Sequence, residues 1–456
     1  MQVLSSGWRR SATGLALGAI CLVVTIAPAR ATTLRDALVT TYLTSPRLEA
    51  GRSELRAVDE LVPQALAGYR PSLFLNSDAT AVQSRVRQGE VFSQNRSGKS
   101  VGVTLRQNLY AGGGTQASVS QAEHQVQAQR SKLSGLEQEV LFDAIDAYTA
   151  AYRDERVLEL ALNNEERLTR QLEATRDRFD VGEVARTDVA QAEARLSRAR
   201  ADVEQAKADL SASRALYERV IGEQPVKLDE PKVLVDLPKT QSDARALAEA
   251  NPDIIAATFD LYAARDSVDV AFSNLLPSLD LQGSVEYADQ PTASLEWSRS
   301  ALVGLNLSIP LYQGGGEYSQ VRENKQRVRQ ARDQLEDTHR SVQQIVASSW
   351  ERLLAATAAI SAFRAEIRAN EIALEGVQQE ALVGARTVLD VLDAEQALFE
   401  SQVSLVRAGR EEVLASYQLK LAVGQLTVDG LALPTAAFND AAYYDANRTR
   451  LFGLAN

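Results

Sequence analysis

Leu109-Tyr110-Ala111-Gly112-Gly113-Gly114 recurs 202 residues later as Leu311-Tyr312-Gln313-Gly314-Gly315-Gly316. The same offset carries Val181-Gly182, Asp188-Val189 and Ala192-Glu193 onto Val383-Gly384, Asp390-Val391 and Ala394-Glu395, and Gly222 onto Gly424. The interval between triple glycine and Val-Gly turn is therefore identical in both halves. Surface loops tolerate changes of length, whereas a rigid rod tied to a partner does not. Upstream, Pro46/Pro252 and Pro71-Ser72-Leu73/Pro277-Ser278-Leu279 match at an offset of 206. The slip falls between Leu75 and Leu109, where a hairpin tip is expected. A repeat with fixed rods and one variable tip is an architecture.

Residues 115–178 contain no proline and a single glycine, Gly135, and are rich in Ala, Gln, Glu, Leu and Arg, all good helix formers. Leu141, Ile145, Tyr148 and Tyr152 follow coiled-coil spacing. Residues 317–380 behave alike, with Val342, Ile345, Ser349 and Leu353 on one stripe and Trp350 at the position of Tyr148. At ~1.5 Å per residue each rod is about 95–100 Å long. Shorter helices follow the Val-Gly turns over about 187–221 and 387–423, and others precede the strand regions over about 34–68 and 242–275. The short helices of each half match the rod in length when stacked end to end.

Alternating apolar positions occur only between the helices. Leu73 and Leu75, then Val101, Val103, Leu105 and Leu109, make a first hairpin. Leu279, Leu281, Gly283, Val285 and Tyr287, then Ala301, Val303, Leu305, Leu307 and Ile309, make a second. Segments of about ten alternating residues read as outer-membrane strands or as half-buried soluble strands. Polar tips at Arg85–Lys99 and Asp289–Arg299 favour the former.

The first 31 residues read as a secretory signal peptide: Arg9-Arg10, an apolar run from Gly14 to Ile26, and Ala29-Arg30-Ala31 before Thr32. The sole cysteine, Cys21, lies inside that run, so the mature chain has no disulfide framework and no thiolate metal site. Without Arg9, Arg10 and Arg30 the formal charge of −11 becomes −14, which argues against a nucleic-acid partner. No later segment has the length and apolarity of a transmembrane helix, so a membrane can be crossed only with strands. Four strands cannot close a barrel, two chains give a narrow one, and three give twelve strands with an open lumen. A homotrimer follows, mainly α, with four strands per chain in a twelve-stranded transmembrane β-barrel. The chain divides into signal peptide 1–31, first repeat 32–224 with a hairpin over about 72–109, linker 225–240, second repeat 241–428 with a hairpin over about 278–311, and tail 429–456. A periplasmic coiled-coil adaptor or scaffold without a barrel is the rival; it leaves the alternating segments unexplained.

The Leu-Tyr-x-Gly-Gly-Gly junctions, the duplicated halves and Val383-Gly384-Ala385-Arg386-Thr387-Val388-Leu389-Asp390-Val391-Leu392-Asp393-Ala394 closely resemble the TolC family of outer-membrane exit ducts, over about residues 33–428. The resemblance implies a trimeric barrel set in outer-membrane lipid and continued by an α-helical tunnel across the periplasm. It also implies docking to a periplasmic adaptor (membrane fusion) protein and an inner-membrane ABC or proton-driven transporter. Proteins or small toxic compounds then leave without catalysis or cofactor, and 225–240 and the tail form an equatorial collar.

Asp390 and Asp393 share a helix face at i,i+3. Spacing alone fits helix-start aspartates favoured by capping and the dipole or, under threefold symmetry, a ring of six carboxylates with raised pKa values. The resemblance places selectivity aspartates there. It also implies an entrance latch at Thr187, Asp188 and Arg386, although the aromatic expected near Ala381 is absent; Arg186 is the candidate substitute. Gly112, Gly113, Gly114, Gly314, Gly315 and Gly316 are expected to bend strand into rod, with Tyr110 and Tyr312 at the membrane interface and Pro71 and Pro277 ending the incoming helices. His124 and His339 read as solvated helix residues, with no metal or catalytic partners.

Overall fold

A computed structural model describes residues 32–453 apart from Gly89, Ala293 and Ser294; the signal-peptide expectation lies outside the described residues. Three short helices open the chain: α1 (Leu34–Thr44), α2 (Pro46–Asp59) and α3 (Leu61–Leu66). Strands β1 (Ser72–Gln88) and β2 (Glu90–Ala111) lead into the first rod, α4 (Gly114–Asp180), and its return helix α5 (Arg186–Ile221). The second half repeats this with α6 (Gln241–Leu247), α7 (Pro252–Ser273), β3 (Ser278–Thr292), β4 (Leu295–Ser308), α8 (Gly316–Leu382) and α9 (Val388–Ala422). The tail adds α10 (Ala442–Asn447).

Both rods have 67 residues, about 100 Å at ~1.5 Å per residue. The helices expected as continuous over 34–68 and 242–275 are broken instead. Ser45 and Asn251 turn extended and cap new helices that begin with Pro46 and Pro252, because proline is favoured at the first helical position and disfavours helix just before it. In the half farther from the strands, α4 packs with α5 and α9, and α9 with α8; nearer the strands, α7 lies between α4 and α8 while α1–α3 line the other side of α4.

The rod seams are asymmetric. Leu141, Ile145 and Tyr148 are fully buried, joined by Leu38, Leu48, Tyr217, Leu426 and the linker residue Leu228. On α8 the stripe runs through Val342, Val346, Ser349 and Leu353, and Ile345 is exposed. Three of the four expected positions hold, and the fourth moves by one residue, about 100° around the helix, from Ile345 to Val346. Tyr148 anchors the linker: its hydroxyl donates to the carbonyls of Thr32 and Asp229, each at 2.8 Å.

The four strands form one antiparallel sheet in the order β1-β2-β3-β4. Register aligns Leu73 with Leu105, Leu75 with Val103, Val103 with Val285, Leu279 with Leu307 and Leu281 with Leu305. Directly paired residues point the same way, so one face is apolar across all four strands. The opposite face carries Asn76, Asp78, Thr104, Asp280, Gln282 and Glu286. From Leu279 to Tyr287 the apolar band runs about 27 Å along the strand at ~3.4 Å per residue, the scale of a bilayer-facing band. The strands exceed the expected ten residues, reaching 17 and 22 in β1 and β2, because the ladder continues through the polar segments expected as tips.

The tail runs along α4. The Val428 N–H donates to the Glu137 carboxylate and Leu433 joins the main apolar core, while Arg448 pairs with Glu123 and Arg70 donates to the Arg450 carbonyl. The chain thus climbs α4 from residue 137 toward residue 123 and brings Arg450 beside the entry to β1.

Candidate functional site: the entrance turns

The turns at the far end of the rods are built alike. Gly182 and Gly384 take φ of 80° and 77°, which glycine adopts at little cost. Glu183 and Ala385 then donate back to the carbonyls of Arg178 and Glu380 at 2.8 and 2.9 Å, which satisfies carbonyls the helix leaves open.

The return helices start on aspartates. Asp188 accepts the Ala185 N–H at 2.9 Å. Asp390 accepts from both the N–H and the hydroxyl of Thr387, at 2.9 and 2.8 Å, while its own N–H donates to the Thr387 hydroxyl at 3.2 Å. This is a full capping box. The hydrogen bonds from Thr387 hold the Asp390 carboxyl below the usual carboxylate range.

Asp393 lies one turn on, exposed, and receives Arg195 Nη2 of α5 at 2.5 Å. This pair links the two return helices. The expected latch does not form within the protomer: Arg386 donates to Glu380 in its own turn at 2.8 Å, and Thr187 stays exposed at the start of α5. Arg186 is the exposed first residue of α5, and Ala381 is the next-to-last residue of α8.

Below the turns Leu168 and Leu172 of α4, Leu196 of α5, and Val388 and Leu392 of α9 form an apolar layer. Ala161, Val203, Phe399 and Val403 form the next. Glu395 stands on α9 between the two, 6% exposed, with Oε2 lacking a partner. Burial pushes its carboxyl up, opposed by the Arg167 charge. Its position in the Val388, Val391/Leu392, Leu398/Phe399 spacing was the available signal for it; Arg195 had none, because its partner is on a distant segment.

At the other end, Gly112 and Gly113 have φ of 61° and 83°, and Gly314 and Gly315 have 73° and 86°. Gly114 and Gly316 begin the rods. Tyr110 and Tyr312 are exposed beside them. Pro71 follows an extended Arg70, as expected, whereas α7 ends at Ser273, before Pro277. His124 is not simply solvated: its Nδ1 lies 2.6 Å from Asp266 beside Phe259 and Tyr262. His339 meets Glu249 at 3.0 Å.

The family model described as Outer membrane efflux protein matches residues 38–223 and 244–425. The chain is 36% identical to Outer membrane efflux protein BepC of Brucella suis biovar 1 over 434 residues, covering 95% of this chain and 94% of BepC. It is 27% identical to Outer membrane protein TolC of Escherichia coli K12, covering 86% and 83%. In fold it is similar to the outer-membrane channel OprN (TM-score 0.77, 20% identity, 86% and 89% covered) and to VceC of Vibrio cholerae (TM-score 0.76, 20% identity, 86% and 96% covered). These matches span both hairpins as well as the rods, which sets aside a periplasmic scaffold without a membrane part. The chain belongs to the outer membrane efflux protein family: it is an outer-membrane exit channel whose helical part stands in the periplasm.

Proposed function

We propose that three copies close a twelve-stranded barrel and tunnel, through which substrates pass from a periplasmic adaptor and an inner-membrane ABC or proton-driven transporter to the exterior. The observation that carries this is the sheet. Its apolar face demands lipid, and β1 and β4 leave unpaired edges that lipid forbids. Three sheets joined edge to edge remove every edge. Relatives support both cargo classes, among them Alkaline protease secretion protein AprF of Pseudomonas aeruginosa and Outer membrane efflux protein BepC.

Asp390 and Asp393 form the entrance ring in this reading, six carboxylates that favour cations. The latch runs between neighbouring protomers, from Arg386 across to Thr187 and Asp188. Planar-bilayer recording tests both. The protein conducts as a heat-modifiable trimer; Asp390→Asn with Asp393→Asn weakens block by divalent cations; Arg386→Ala or Asp188→Ala raises conductance. A monomer without conductance overturns the assembly, and unchanged block overturns the ring.

A further inference from the structure

The tail crosses a buried charge that no neighbour satisfies. Asp59, the last residue of α2, is 2% exposed, and neither carboxylate oxygen has a hydrogen-bond partner among the described residues. Buried polar groups are normally paired, and an orphan is costly. Arg130 of α4, Asp440 of the tail and the adjoining Glu60 act on it. Arg130 is itself poorly used: Nε and Nη2 are buried without acceptors, and Nε stays 3.9 Å from Asp440.

Over this carboxyl the tail is held by cationic groups on rings and by a few polar links. The Arg52 guanidinium lies 5.0 Å from the ring centres of both Tyr42 and Phe438, and Arg130 lies 5.2 Å from that of Tyr444, contacts worth roughly 0.5–2 kcal/mol each depending on desolvation. Arg56 also faces the Phe438 ring. The Tyr443 hydroxyl donates to Glu60 at 2.8 Å, and Arg448 donates to Glu123 at 2.6 Å. Tyr444 covers Val62, Ala122 and Val126. The segment therefore bridges α2, α3 and α4 below the sheet.

We propose that the C-terminal tail is a proton-tuned strap: seating it buries Asp59 in a setting that favours the neutral acid, so acidification clamps the tail onto α2–α4 and neutral pH loosens it. Burial raises the Asp59 carboxyl from its ordinary 3.8 to about 6, against the pull of Arg130. The seated state thus binds more protons than the released one. Its extra stability is full below the released value and is lost as pH rises through about 6. If release returns Asp59 to 3.8, seating is about tenfold more favourable at pH 5 than at pH 7.5, which is the ceiling of the effect.

Amide hydrogen exchange of the assembled channel reads this directly. The Asp445 and Arg448 N–H groups, bonded within the tail to the Ala441 and Tyr444 carbonyls, report opening once intrinsic rates are divided out. Their protection at pH 5 is expected to exceed that at pH 7.5, by up to about tenfold, while β4 ladder amides such as Leu305 stay level. Asp59→Asn makes the tail equally protected at both pH values, and Asp440→Asn leaves most of the dependence in place. Equal protection in the wild type, or a difference that survives Asp59→Asn, overturns the strap. If Asp59→Asn does not assemble, the wild-type profile decides: a change confined to about pH 4–6 supports the proposal and a flat profile rejects it.

Discussion

The two rods are equal in length and in their caps, yet differ in what they bury. α4 starts at Gly113 with φ 83° and α8 at Gly315 with φ 86°. Both end in a Val-Gly turn. Along α4 the buried side chains include Leu133, Leu141, Ile145, Tyr148, Leu168 and Leu172; along α8, among the described residues, they are Val321, Val342, Val346, Ser349, Ala356 and Ile360. Backbone geometry survives duplication because glycines and caps set it locally. Burial does not, because α1–α3, the linker and the tail all gather on α4. Leu354 and Ile372 of α8 remain exposed. Eighteen residues make five whole turns, so these two share one face, and that face is the one we propose a neighbouring copy covers in the twelve-stranded assembly.

The largest effect should follow from charging that face. Leu354→Glu with Ile372→Glu is expected to abolish the trimer on an unheated gel while the chain keeps its helical circular dichroism. A trimer that persists would return α8 to the status of a solvent-facing rod.

Next comes the repeat-related pair Leu141 and Gln343. Leu141→Ala opens a cavity in the main core and should cost about 2–5 kcal/mol, whereas Gln343→Ala removes a half-exposed contact to Glu249 and should stay within ~0.5 kcal/mol. Denaturation of the two variants side by side measures the asymmetry. The triple glycines divide in the same way. A Cβ at Gly114 would lie 2.3 Å from Ser273 Oγ, and one at Gly316 would meet nothing within 4 Å. Gly114→Ala is therefore expected to cost about 1–3 kcal/mol through overpacking and Gly316→Ala little; equal melting temperatures would show the junctions to be interchangeable.

Much of this was legible before any coordinates. The rods expected over 115–178 and 317–380 are found at Gly114–Asp180 and Gly316–Leu382, because glycine punctuation and an unbroken run of helix formers are local signals. The strands were found but shortened: alternation marks only where one side meets lipid, whereas the ladder runs on through polar residues. The breaks at Pro46 and Pro252 carried their own signal in the Ser-Pro and Asn-Pro pairs, which the helical composition around them outweighed. Contacts such as Arg195 with Asp393, or Arg448 with Glu123, depend on segments nearly 200 or more residues apart and leave no local trace.

The smallest effect concerns the entrance, where the repeat places Ala185 opposite Thr387. Both return helices begin on an aspartate that accepts a backbone N–H, but only the second has a hydroxyl to complete the box. Thr387→Ala makes the second turn resemble the first and should weaken the start of α9 by about 1 kcal/mol; Ala185→Thr should strengthen α5 by a comparable amount. The two changes also predict different acid responses. Asp390 has a lowered folded pKa, so its contribution is present above the usual carboxylate value and is lost as pH falls through the folded one. Removing the Thr387 hydroxyl removes one of the two donors that cause the shift, so exchange protection at the start of α9 should become less sensitive to acid. If Thr387→Ala leaves both the protection and its acid dependence unchanged, the capping box contributes nothing to the entrance and the two turns are energetically equivalent despite their different residues.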